Sequence, residues 1–134
     1  MPTLFFLLMI KHFICDFALQ GRFIGRYPFG AKRKLTNPGA LLHSLDHALG
    51  TAFIFLIVSI IAYTQGHTIF FSILVFAVLD FVLHLFIDWR KNIIVHNLGI
   101  KQSDRMFWII TSIDQIFHSA CYWLYVVLFD KYFF

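Results

Sequence analysis

Glutamate is absent from this 134-residue chain, and charged residues of any kind make up only 13% of it. A soluble helical domain carries about twice that charge and uses glutamate freely on its wet faces. Two cysteines are too few for a disulfide framework, and both fall inside apolar segments, so free thiols are expected. No serine or cysteine stands in a recognisable nucleophile motif, which counts against covalent catalysis. A basic n-region is missing ahead of the first apolar run, so no separate signal peptide is expected and that run should be retained. What is present in quantity is apolar surface: 60% hydrophobic residues, eighteen of them Phe, with a mean hydropathy of +0.77. The expectation is one integral membrane domain over residues 1–134, all-α, with soluble alternatives remote.

Four spans can be drawn, over about residues 3–20, 40–64, 68–89 and 106–129. Each approaches the ~20 residues needed to cross the hydrocarbon core, giving a four-transmembrane-helix bundle. Arg22, Arg26, Lys32, Arg33 and Lys34 lie between spans one and two, and Arg90, Lys91, Lys101 and Arg105 between spans three and four. The turn Gln65-Gly66-His67 has neither Lys nor Arg. By the positive-inside rule the two basic loops are cytoplasmic and both termini outside, in a bacterial inner membrane or its equivalent. Lys11 is the one cation this leaves within a span. The first loop mixes Phe23, Ile24, Tyr27 and Phe29 with its cations and is broken by Gly and Pro, so it should lie in the headgroup layer. The second, Asn92 to Asp104, contains Ile93, Ile94 and Val95 and would dip into the membrane similarly.

Polar residues inside the spans follow one spacing: His12-x3-Asp16, His43-x3-His47, His84-x3-Asp88 and Asp114-x3-His118. Four residues advance an α-helix by about 400°, so the members of each pair share a face. Ionisable groups in lipid-length helices cost several kcal/mol unless paired or bound to an ion. The assigned orientation puts all eight in one layer of the cytoplasmic leaflet, an agreement in depth that scattered polar residues would lack. Imidazole with carboxylate suits zinc, iron or manganese, whereas calcium and magnesium sites use oxygen ligands. Eight groups exceed one catalytic site, so one or two divalent ions are expected, zinc first. Asp80 is one step before His84 and suits an acceptor for an imidazole N–H, while Gln20, Gln115, Ser44 and Asp46 would orient ligands or substrate. Taken singly, a membrane histidine is more often a helix–helix hydrogen bond and a membrane aspartate a snorkelling one. The four-fold agreement favours ligands.

The series His12, Asp16, Phe17, Leu19, Gln20, then His43 and His47, then His84, Ile87, Asp88, then Asp114, Gln115, His118 resembles a family of small bacterial and phage membrane proteins known as DUF3307. The resemblance spans nearly the whole chain and implies the same multi-span architecture. It also implies kinship in style with predicted membrane-bound metal-dependent hydrolases.

The residues therefore point to a metal-dependent hydrolase acting at the cytoplasmic face on an ester or phosphoester of a lipid or membrane-associated substrate. A spare carboxylate, Asp114 or Asp46, would be the general base. Arg22, Arg26, Lys32, Arg33, Lys34 and Arg90 would hold an anionic headgroup, with anionic phospholipid as partner and no nucleic acid. A homodimer is a reasonable expectation for so few helices. Rivals are a diiron oxidoreductase, disfavoured by the lack of Glu-x2-His pairs, and a non-catalytic protein that binds or carries ions.

Overall fold

Every helix of this protein hides the wrong kind of residue for a water-soluble bundle. The computed structural model describes residues 2–19, 35–64 and 70–133, which form helices and their connections and no strands. Helix α1 spans Pro2–Phe13 and runs into a π-helical segment, Ile14–Leu19; α2 spans Pro38–Thr64, α3 Phe71–Asn97 and α4 Arg105–Tyr132. The buried stripe of α3 is Ser72, Phe76, Asp80, His84 and Asp88, one residue in every four. Outside, Phe17, Phe71 and Ile116 are 75%, 69% and 67% exposed. Polar inside and apolar outside is the arrangement that lipid, rather than water, rewards.

Three stretches are long and apolar enough to cross a membrane: Pro2–Leu19, Pro38–Tyr63 and Phe71–Asn97. These mark the chain as an integral membrane protein. Helix α4 has the length, at 28 residues, but Asp114, Gln115 and His118 dilute its hydropathy. Helix α1 packs on α2 and α4, α2 on α3, and α3 on α4, closing a four-sided ring. One end of its interior is apolar, where Phe55 and Phe76 stack at 4.4 Å between centroids and Phe129 meets Phe55 edge-on at 5.3 Å. The other end is polar.

Local signals explain two of the boundaries. Asn37 caps α2, its Oδ1 accepting from the Gly39 and Ala40 amides at 2.9 and 3.3 Å, and Pro38 takes the first helical position, where no amide is needed. Helix α3 ends in a Schellman motif: Gly99, at φ +63°, donates to His96 and Ile100 donates to Val95. It thus runs two turns past the expected end of span three at Trp89, and Asn92–Asn97 is helix rather than a dipping loop. Arg90 and Lys91 end the apolar run, but a cation does not break a helix. The π-helical segment also departs from the regular helix expected to residue 20. No Gly, Pro or Ser in Ile14–Leu19 announces it. Such turns are rare and concentrate at functional sites; this one carries Asp16. Cys15 and Cys121 are free thiols, as expected. The basic loop around Arg22–Lys34 and the turn at His67 lie outside the described residues.

Gly50 sits mid-helix in α2, where alanine would ordinarily add up to about 1 kcal/mol of stability. A methyl there would stand 2.6 and 2.8 Å from Cγ and Cδ of Lys11, whose ammonium is held by partners across the bundle. We therefore expect Gly50→Ala to destabilise by about 1–3 kcal/mol, as overpacking does. Unfolding in detergent checks the sign, and a stabilised variant would refute the close approach.

Candidate metal centre

Four helices each present their polar step to the same interior. His12 comes from α1, Asp16 from the π-helical segment, His43 and His47 from α2, His84 and Asp88 from α3, and Asp114 and His118 from α4. Among the described residues, three groups have ligand atoms within 4.8 Å of one another: Asp16, His43, His47 and His84; His12, His84 and His118; Asp88, Asp114 and His118. All eight side chains expected to ligate belong to at least one group. The five imidazoles are in ring contact, with His47 stacked on His84 at 3.6 Å and His84 on His118 at 4.3 Å between centroids.

Hydrogen bonding separates these side chains into two kinds. His12 meets Tyr122 through Nδ1 at 3.1 Å and Gln115 through Nε2 at 3.0 Å. His47 has Lys11 Nζ 3.4 Å from Nδ1, and an ammonium only donates, so Nε2–H is left to donate to Asp16 Oδ1 at 3.0 Å. His43 and His84, by contrast, are buried with no hydrogen bond on either ring nitrogen, and His118 Nε2 has none. Their Nε2 atoms stand 3.7, 3.6 and 3.6 Å from Asp88, too far for a hydrogen bond, and that of His43 is nearer Asp16 Oδ1, at 3.2 Å without a hydrogen bond. Ligands 2.0–2.1 Å from a tetrahedral ion stand about 3.4 Å apart. Buried nitrogens without hydrogen bonds are rare in a hydrogen-bonded core, and at this spacing they could serve as ligands to a transition-metal ion.

Two lysines complete the arrangement. Lys91 Nζ donates to Asp88 Oδ1 at 2.9 Å and to Asp114 Oδ2 at 2.7 Å. Lys11 Nζ donates to Asp80 Oδ2 at 2.6 Å and to the Tyr122 hydroxyl at 2.9 Å, and Thr51 donates to the same Asp80 oxygen at 2.6 Å. This corrects the reading of Asp80: its carboxylate holds Lys11 and Thr51, not an imidazole. Gln115 sits within the cluster, its amide donating to Asp16 Oδ2 at 3.1 Å. Asp46 is half-buried and joins none of the three groups; its backbone carbonyl faces the Cys15 thiol at 3.7 Å. Ser44 is buried beside His43. Arg90 is exposed, with its guanidinium 5.8 Å from the Trp89 ring centre. Gln20, Arg22, Arg26, Lys32, Arg33 and Lys34 lie outside the described residues.

Sequence reasoning missed Lys11, Thr51, Tyr122 and Lys91 as parts of this centre. One more four-residue step would have found two of them, since Thr51 continues His43–His47 and Tyr122 continues Asp114–His118.

Residues 4–132 match the family described as "Protein of unknown function (DUF3307)". The chain belongs to that family. No curated protein and no solved structure matches it. DUF3307 membership covers every helix that supplies the centre, but brings no reaction with it.

Proposed function

We propose that this DUF3307 protein is a membrane-embedded, metal-dependent hydrolase of an ester or phosphoester in a lipid or membrane-associated substrate. The carrying observation is that the Nε2 atoms of His43, His84 and His118, none of them hydrogen-bonded, gather within 3.7 Å of the Asp16 and Asp88 carboxylates. In this reading α4 is a fourth span, both termini lie outside and the polar end of the bundle faces the cytoplasm, as the basic loops require. Zinc is the first choice for the ligand set, with iron or manganese next.

Charge supports one divalent ion rather than two. Three carboxylates, Asp16, Asp88 and Asp114, against the single Lys91 ammonium leave two negative charges for neutral imidazoles to share. When bound, such an ion supplies Lewis-acid polarisation of the substrate and a more acidic water. Asp114 is the better base of the two carboxylates named from sequence: Oδ2 is held by Lys91, while Oδ1 is buried without a hydrogen bond, 3.7 Å from His118 Nε2, and can accept a proton. Gln115 and His47 hold Asp16 from two sides, fixing its orientation. An ion carrier is disfavoured because the interior beyond Lys11 is closed by Phe55, Phe76 and Phe129.

The test is elemental analysis of purified protein beside His47→Ala and Asp88→Ala, with release of product from phosphatidylglycerol vesicles as the activity readout. About one zinc per chain, lost in Asp88→Ala together with hydrolysis, is the expected result. Absence of stoichiometric metal in the wild type, or full retention of metal by both variants, sinks the metal reading. Iron in anaerobic preparations with no hydrolysis would move the protein to the oxidoreductase class.

A further inference from the structure

A groove of about 300 Å³ runs between α3 and α4 on the outside of the bundle. Its walls are apolar: Phe86, Ile87 and Ile94 from α3 face Ile110, Ile113 and Phe117 from α4. Four of these, Phe86, Ile94, Ile113 and Phe117, are at least 40% exposed, so the groove opens sideways onto the surface that faces lipid. Between the apolar residues of α3 come Arg90 and Lys91, and the inner wall includes Asp114 of the metal centre. Lys91 is bound to Asp88 and Asp114. Arg90 has no carboxylate partner among the described residues, only the Trp89 ring.

We propose that this groove seats one acyl chain of an anionic phospholipid taken directly from the bilayer, with the headgroup phosphate on Arg90. The inference rests on the hydrolase reading and names its substrate class. A chain already in lipid gains little from another apolar wall, so the groove selects by charge and shape. An unpaired guanidinium at the level of the site provides the charge, suited to two phosphate oxygens. The volume holds about ten groups of water size, at roughly 30 Å³ each, which fits part of one chain and not two. A bond near the phosphate would then lie beside Asp114, whose free oxygen is the proton acceptor. Lateral access spares the substrate from leaving the membrane.

The experiment uses the full chain in phosphatidylcholine vesicles containing one-tenth phosphatidylglycerol, with a diazirine in the acyl chain of one lipid or the other. Crosslinks are mapped by peptide mass spectrometry, and metal content is measured on the same samples. Phosphatidylglycerol should label residues 86–94 and 110–117 about five-fold more than phosphatidylcholine does, the factor expected for one basic residue near the membrane surface. Arg90→Gln, at an exposed position, should remove that preference, and Ile113→Trp should remove the groove labelling. Equal labelling by both lipids, or labelling as strong along Phe53 and Ile60 of α2, overturns the groove; if metal is retained, the hydrolase reading survives. Groove labelling with no metal in the protein upholds the lipid site and overturns its role as a hydrolase substrate site.

Discussion

His84→Ala is expected to lower metal affinity by at least ~100-fold and to abolish stoichiometric metal in the purified protein. Loss of an outer partner of a ligand already costs 10–100-fold, and His84 occupies a more central place. It belongs to two of the three ligand groups, is buried to 1% exposure, and has no hydrogen bond on either nitrogen. Removing it takes a donor from both sides of the cluster at once. The substitution also leaves a cavity, since the ring is stacked between His47 and His118, so stability would fall for a second reason. His84→Phe separates the two effects by restoring ring area without a nitrogen. Both variants should fail to hold zinc, and both should lack the rise in thermal midpoint expected when zinc is added to the wild type, worth about 2.7 kcal/mol at a hundred times Kd. A His84→Phe protein that still holds one equivalent would refute the ligand assignment. His96→Ala, at an exposed position at the end of α3, should change neither measurement.

The eight clustered residues were legible because a membrane makes them conspicuous. In a soluble domain His43 and Asp88 would be two polar residues among dozens; in spans rich in Phe, Ile and Leu they stand out, and their shared step identifies one face per helix. Depth was legible too, since each pair's distance from its basic loop can be counted. Partnership across the bundle was not. Asp80 was placed at the right depth and face but given an imidazole, because its own helix offers His84 while the cation that claims it arrives from α1, 69 residues away. Lys91 was read as a loop cation for a related reason: charge ends an apolar run, yet the α3 backbone continues to Asn97 and carries Lys91 round to Asp114. The π-helical turn at Asp16 has no Gly, Pro or Ser to announce it, so no local composition records it.

The Lys11–Asp80 pair carries the second large effect, because it is a buried ion pair in a segment apolar enough for lipid. The two side chains are 7% and 3% exposed and 2.6 Å apart. Taking either charge away strands the other, and such truncations cost about 3–5 kcal/mol, whereas replacing both by apolar residues of similar size is often neutral or stabilising. We expect Lys11→Met and Asp80→Leu each to destabilise by that amount in detergent unfolding. The double variant should be more stable than either single one, so the coupling energy in the cycle should exceed about 3 kcal/mol. Additive losses would mean that the pair is not an energetic unit. Recovery of stability should not bring recovery of the metal. Lys11 also holds the Tyr122 hydroxyl, which in turn meets His12, and lies beside Nδ1 of His47. With an apolar residue at position 11, His47 loses the donor at Nδ1 and Tyr122 loses the ammonium that holds its hydroxyl beside His12, and metal affinity should stay 10–100-fold down. The ion pair would then be kept for the metal centre, since an apolar pair would hold the helices together equally well.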